Sequence, residues 1–319
     1  MSTEVEHYKG FTVKPILPGF GAEVAGVPFD QVPLPQETID ALIELSNKYA
    51  VLIFRDTGLD DARHVKFSQQ LGELEVCPKF GGPDQPDRFS SRYLFDAGNM
   101  NLDGSIVKEG TRRWQYNKGN ALPHTDSSFN QHRSKYSLLL AHLVPSVGGN
   151  TDFFNVRQAY ADLPEEKKEV LRELVIEHDL WHSRKIAAPE EFQTVTAHEM
   201  AAKQPAYHKF VQTAPNGNET LFIAAHAKRV VGPQVWDLEK SQKLIWELID
   251  HCTKPEQYMF SAKWNGPGDM VWWDNRTSMH RATPFSDQME RRDMRRTTVF
   301  DDGPYAQGAM PPMLDMPAA

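Results

Sequence analysis

The sequence predicts a mainly β protein, a sandwich or jelly roll with helical cover, and three observations carry that reading. Short apolar or alternating runs recur along most of the chain, separated by turn residues. The helical patterns sit between those runs rather than in a separate block. The side chains best suited to chemistry come from runs far apart in sequence, which favours a single catalytic domain over 1–319. At 319 residues, length by itself permits one domain or two.

The elements read as follows. Phe11 to Ile16 has a strand pattern, and Gly19-Phe20-Gly21-Ala22-Glu23-Val24-Ala25-Gly26 continues it. Its glycine spacing is wrong for a G-x-G-x-x-G dinucleotide loop, and no long helix follows it directly. Pro35 to Ala50 reads as a helix, with proline at its start and Ile39, Leu42 and Ile43 on one face. Val51-Leu52-Ile53-Phe54 fits a buried strand, and Asp60 to Leu74 a second helix. Residues 78–120 are rich in proline and glycine and then polar and irregular, which suits a mobile lid.

Strand patterns return at Tyr136 to Leu143 and, beyond Gly148-Gly149, at Thr151 to Phe154. A helical insertion is expected over about 156–215, clearest from Pro164 to Asp179. Later strands are expected at Thr220 to Ala225, Tyr258 to Trp264, Asp269 to Trp273 and Thr297 to Phe300. Leu244, Ile245, Leu248, Ile249 and Cys252 mark an amphipathic helix among them.

Composition narrows the function. Hydrophobic residues make up 40% of the chain, enough for a substantial core. A formal charge of −8 argues against general nucleic-acid affinity, which needs a basic field, but not against a local basic pocket. Two cysteines, Cys77 and Cys252, are too few and too distant for a disulfide framework or a CxxC metal site. The first residues lack a signal-peptide pattern, and no apolar run approaches the roughly 20 residues of a membrane span. A cytoplasmic location is the expectation.

The chemistry is expected at His124-Thr125-Asp126. Alternation along an extended chain turns His124 and Asp126 the same way, with their Cα atoms roughly 7 Å apart. His280 supplies a third donor if folding brings it close. Two imidazoles and one carboxylate leave several coordination positions open, the arrangement of oxygen-activating non-haem iron. A rival pair, His178 and His182, has helical spacing but carries Asp179 where a zinc protease needs glutamate, and has no evident third ligand. His182 is kept as a substrate contact.

Beyond His280 runs Arg291-Arg292-Asp293-Met294-Arg295-Arg296. If it belongs to the strand that continues through Thr297, then Arg292, Met294, Arg296 and Thr298 share one face. Arg292 and Arg296 would lie roughly 13 Å apart, enough for two anions in one cavity. Buried arginines imply such partners, since an unpaired internal charge is unfavourable.

On these residues the chain resembles the taurine dioxygenase and 2,4-dichlorophenoxyacetate dioxygenase family, the second branch more closely. The similar stretches run from Gly19-Phe20-Gly21-Ala22-Glu23-Val24 through His124-Thr125-Asp126-Ser127-Ser128-Phe129, Gly148-Gly149-Asn150-Thr151 and Trp273-Asp274-Asn275-Arg276 to His280-Arg281 and Arg295-Arg296-Thr297-Thr298. The resemblance implies a double-stranded β-helix (jelly roll, cupin-like) that holds Fe(II) with His124, Asp126 and His280. It implies 2-oxoglutarate and O2 as cosubstrates, the former held by Thr151 and Arg292. Parity with Arg296 favours Arg292 over Arg291. Arg296 would meet a small anionic organic substrate, with Asn120 a pocket neighbour, and a homo-oligomer is reasonable. Pro123 stands where the family usually has tryptophan. The implied activity is hydroxylation, with ether cleavage, desaturation or ring closure as outcomes of the same start. A zinc hydrolase or a metal-binding sensor on the same scaffold remains the alternative from another class.

Overall fold

The computed structural model of the chain describes residues 4–77 and 88–310. Strands β1 (Glu6–Tyr8), β2 (Phe11–Leu17) and β3 (Phe20–Ala25) form an antiparallel meander, so the glycine-rich run is strand and not cofactor loop. Helix α1 (Gln36–Tyr49) begins after Pro35 and buries Ile39, Leu42 and Leu45. It stops at Ala50, whose φ of +62° turns the chain straight into β4 (Val51–Phe54). Helix α2 (Asp61–Gln69) is capped by the Asp60 carboxylate, which accepts from the Arg63 N–H at 2.8 Å. It ends short of the expected Leu74. The Gln70 side chain is drawn off to bond both backbone groups of Leu34, and Gly72 adopts φ +145°.

Past β5 (Phe95–Asp96) and α3 (Arg112–Asn117) come β6 (Ser134–Leu143) and β7 (Thr151–Asn155). The region expected to be a helical insertion is mixed. It contains α4 (Val156–Ala161), α5 (Glu165–Arg172), β8 (Val175–His178), α6 (Leu180–Ala187), α7 (Ala197–Ala202), β9 (Ala206–Lys209) and β10 (Val211–Thr213). Val175 and Ile176, both β-branched and the second packed inward, extend instead of coiling and pair with β9. The chain closes with β11 (Glu219–Leu221), β12 (Ala227–Gly232), α8 (Leu238–Cys252), α9 (Pro255–Tyr258), β13 (Met259–Ala262), β14 (Met270–Asp274), β15 (Ser278–Ala282) and β16 (Asp293–Phe300).

Eight strands form one sheet in the order β1-β2-β3-β4-β14-β6-β16-β5, and β13-β7-β15 form a second. The period of two decides what each face does. Ile53, Leu139, Val271 and Trp273 face inward and meet Phe153 and Phe260 of the smaller sheet, a core shared by both. Their neighbours Leu52, Leu138, Leu140 and Trp272 face outward and pack under α1 and α2, against Leu42, Leu45 and Phe67. Each such side chain contributes about 1.5–3 kcal/mol on burial. A third core joins α4 and α8 to β8, β11 and β12, with Met279 of β15 reaching into it. Thus β15 points Met279 one way, while His280 and Ala282 line a cavity on the other face.

Candidate metal centre

His124 lies outside the named strands. It forms a one-residue antiparallel bridge with His280, exchanging both backbone bonds, His124 N–H to His280 O at 2.9 Å and His280 N–H to His124 O at 2.8 Å. This exchange sets the two residues directly opposite each other. The imidazole centroids are 4.2 Å apart. Asp126 follows at the start of a turn in which Ser127 takes φ +55°. Between the two, Thr125 turns away and donates to the Ile223 carbonyl at 3.0 Å, which leaves His124 and Asp126 on one side as the alternation predicts.

His124 Nε2 lies 3.8 Å from Asp126 Oδ1, and His280 Nε2 lies 3.6 Å from Asp126 Oδ2. One donor atom from each of the three residues falls within 4.8 Å of the others, and all three residues are buried. The Leu122 carbonyl, 2.7 Å from His124 Nδ1, fixes that ring and leaves Nε2 facing the carboxylate. Trp273 packs on His280 with centroids 4.7 Å apart. Asp126 is held by its own supports: its N–H donates to Asn275 Oδ1 at 3.1 Å, and Ser137 Oγ donates to its Oδ2 at 2.8 Å. Asn275 Nδ2 in turn donates to Ser137 Oγ at 2.9 Å.

The electrostatics suit a cation. Burial alone would raise the Asp126 pKa, but Arg296, the two imidazoles and Ser137 outweigh it and bring the carboxyl to about 2. Burial lowers the proton affinity of His124, against the opposing pull of Asp126, and lowers that of His280 further. An ionised carboxylate beside two neutral imidazoles is the protonation state a divalent metal needs.

The cavity over this cluster, partly open to solvent, has a volume of about 110 Å³. Thr151, Arg292, Arg296 and Asn120 all line it; His182 does not. The order along β16 and the two residues before it agrees with the expected parity: Arg292, Arg296 and Thr298 reach the cavity, whereas Arg291 is exposed and Arg295 pairs with Asp61 on the outer face. Thr151 is aimed by the turn at Gly148 and Gly149, where φ is +76° and +64° and added Cβ atoms would fall 2.3 Å from Pro284 O and 2.7 Å from Pro145 Cγ.

Arg292 is buried without a carboxylate. Its Nη1 donates to the Ala97 carbonyl at 2.6 Å, its Nε has no acceptor, and burial pushes its pKa down to about 10. Arg296 donates to Asp126 Oδ1 and lies 4.6 Å from the centroid of Phe95, its strand partner. The residues present therefore fit both a divalent metal at the cluster and an anion at Arg292.

His182 requires a correction. His178 ends β8, and Asp179 caps the next helix, so the two histidines do not share a helix face. On α6, Leu180 and Arg184 face the cavity, and His182, two positions from each, turns to Gln242 Oε1 at 3.1 Å. Pro123 does not line the cavity either; its carbonyl accepts from the Ala225 N–H at 2.9 Å. Of the region expected to be a lid, 78–87 lie outside the described residues. Phe95, Ala97, Tyr116 and Asn120 from the remainder line the cavity. Arg88 and Arg113 both bind Asp96 at 2.9 Å, and Arg88 also binds Asp293, which ties this segment to β16.

Sequence reasoning missed Arg184 and His226, both of which line the cavity. Arg184 had a helical-spacing signal, four residues after Leu180; His226 had none.

The family described as taurine catabolism dioxygenase TauD, TfdA family matches residues 12–298. The chain is 36% identical over 271 residues to the alpha-ketoglutarate-dependent 2,4-dichlorophenoxyacetate dioxygenase of Burkholderia sp. (strain RASC), covering 83% of this chain and 86% of that one. It is 29% identical over 301 residues to the (S)-phenoxypropionate/alpha-ketoglutarate-dioxygenase of Sphingobium herbicidovorans, covering 92% and 96%. Among solved structures, AAD-2 in complex with Mn(II) and N-oxalylglycine superposes with a TM-score of 0.80 at 30% identity, over 94% of this chain and 98% of that one.

Proposed function

We propose, since the chain belongs to the taurine catabolism dioxygenase TauD, TfdA family and is a 2-oxoglutarate-dependent non-haem iron dioxygenase, that His124, Asp126 and His280 are its iron ligands. Its cofactor is Fe(II), with 2-oxoglutarate and O2 as cosubstrates. The two packed sheets are read as the halves of a double-stranded β-helix, and 1–319 as a single catalytic domain in the cytoplasm. Among the described residues no helix is long and apolar enough to cross a membrane.

Bound together, metal and cosubstrates supply the oxidant: 2-oxoglutarate and O2 become succinate and CO2, with one oxygen atom inserted into a substrate C–H bond. The protein's part is placement. Arg292, immediately before β16, and Thr151, at the start of β7, hold the distal carboxylate of 2-oxoglutarate. Arg292 is the observation that carries this reading, because a buried guanidinium with an unbonded Nε and no carboxylate partner calls for an anion. Arg296, two strand positions beyond Met294, orients the acid of a small anionic organic substrate over the cluster. It also keeps Asp126 ionised, so that no proton need leave when the metal binds. Asn120 contacts the substrate from the opposite wall. Phe95, Leu139 and Phe129 add an apolar patch to the lining, which suits a hydrocarbon or aromatic body and keeps water from the reacting carbon.

The test is succinate release and O2 consumption with Fe(II), over a panel of small acids. Arg292→Ala is expected mainly to raise the 2-oxoglutarate requirement, and Arg296→Ala mainly to weaken the acid substrate. Equal effects of both changes on both compounds would overturn the assignment.

A further inference from the structure

With Arg292 and Arg296 assigned as above, a third arginine in the same cavity has no partner for its charge. Arg184 of α6 is only 5% exposed, yet it lines the cavity. Its guanidinium carbon stands 4.2 Å from the centroid of Tyr116, and Gly119 lies so close that an added Cβ would fall 1.7 Å from Nη1. Its flat face is therefore packed. Its donors are not satisfied: Nε and Nη1 are buried and have no acceptor. A buried guanidinium with open N–H groups is unfavourable until an acceptor, best an anionic one, arrives.

Among the described residues the carboxylates lining the cavity are Glu75 and Asp126, and both are engaged elsewhere. Glu75 accepts from Ser127 Oγ and Asn130 Nδ2, each at 2.8 Å, and Asp126 from Ser137 and Arg296. The fourth lining cation, Lys203, already donates to Asn130 Oδ1 at 3.1 Å. Among the described residues, Arg184, Lys203, Arg292 and Arg296 thus face two carboxylates. Fe(II) and the 2-oxoglutarate dianion cancel each other, so the excess positive charge persists in the loaded enzyme. The primary substrate is what remains to balance it.

We propose that Arg184 is a specificity-determining residue that binds a second acidic group of the primary substrate, so that the enzyme prefers organic diacids whose anionic ends meet Arg296 and Arg184. This rests on the assignment of Arg292 to 2-oxoglutarate and Arg296 to the first acid. Arg296 belongs to the sheet wall and Arg184 to the wall made by α3, α6 and the turn at Gly119, so the two acids sit at opposite ends of an apolar body.

The experiment is calorimetric binding to the full chain loaded with Mn(II) and N-oxalylglycine, a complex that does not turn over. The probes are phenoxyacetate and 4-carboxyphenoxyacetate, which differ by one acid. The diacid is expected to bind on the order of 10- to 100-fold more tightly, the worth of a charge-assisted contact. Arg184→Gln should bring the diacid down to the monoacid's affinity while leaving the monoacid unchanged, and Arg184→Lys should keep part of the preference. Equal binding of the two probes to the native protein, or binding of neither, overturns the proposal. So does a preference that survives Arg184→Gln, or an Arg184→Gln that weakens both probes equally. N-oxalylglycine affinity is measured alongside. Its absence in the native protein would sink the 2-oxoglutarate reading instead, and its retention in the variants shows that they fold.

Discussion

The two walls of the cavity are built on different principles. On one side β14, β15 and β16 deliver Trp273, His280 and Arg296 from regular strands, with Arg292 just ahead of β16, and every second residue is committed by the pleat. On the other, Tyr116, Asn120, Leu180 and Arg184 come from short helices and a turn, which present whichever residue the local path allows. On the proposed assignment, the first wall carries what chemistry with iron and 2-oxoglutarate requires. The second is free to change with the substrate. Sheets make good anchors, and helix ends make adjustable ones.

The largest way to break the contrast is at the bridge. His280→Ala should abolish substrate-coupled succinate formation and reduce bound Fe(II) to background, measured by metal analysis after anaerobic reconstitution. Residual tight iron binding would mean that the metal sits elsewhere.

Next comes Arg292→Leu, which should act in opposite directions on function and stability. The loss of 2-oxoglutarate affinity should be about 2–5 kcal/mol, as for truncating one partner of a buried charge pair. The ligand-free protein should gain about 1–2 kcal/mol, because a buried charge without a carboxylate has been removed. Denaturant titration checks the second effect, and a less stable variant would show that Arg292 is paired in the resting protein.

A smaller effect is expected from Asn275→Ala, which touches no ligand ring. It removes the acceptor of the Asp126 N–H and a donor to Ser137 Oγ, and should weaken Fe(II) affinity roughly 10- to 100-fold. Competition with a fluorescent chelator reads this directly.

The last prediction sets the two sides against each other by pH. Burial, aided by His142, pushes His64 beneath the sheet wall to about 3, and burial, aided by Arg133, does the same to His208 of β9. Both are neutral when folded and protonate when unfolded below about 6.5, so stability is full above that pH and falls as pH drops toward 3. Each contributes a slope of about 1.4 kcal/mol per pH unit within the window. His64→Gln should lower the measured slope by that amount, and an unchanged slope between pH 4 and 6 would show that the folded protein takes up the proton there.

The legibility of the site follows the same division. The facing of Arg292 and Arg296 was readable because a strand has only two faces and one anionic partner could be named. His124 and Asp126 were readable as a same-side pair, although the segment is a bridge and a turn and not a strand. The strand that carries His280 was not foreseen: Ser278-Met279-His280-Arg281-Ala282 has a polar, basic composition and is ordered by pairing with β7. His182 was misplaced because helical spacing was measured from His178, which belongs to a different element. Arg184 could not be weighed at all, since its isolation depends on Gly119 and Tyr116, far from it in sequence. Between 156 and 215 the expected helices gave way to β8, β9 and β10, whose partners across the sheet come from later in the chain or from each other.

The reciprocal backbone exchange between His124 and His280 has a consequence for durability. The two amides that zip this seam belong to the residues proposed to grip the ion, so on that assignment loosening the seam and releasing the iron are coupled. Chelation should therefore speed deuterium uptake at those two positions before the surrounding sheet notices, and a filled centre should make the seam the slowest part of this region to open.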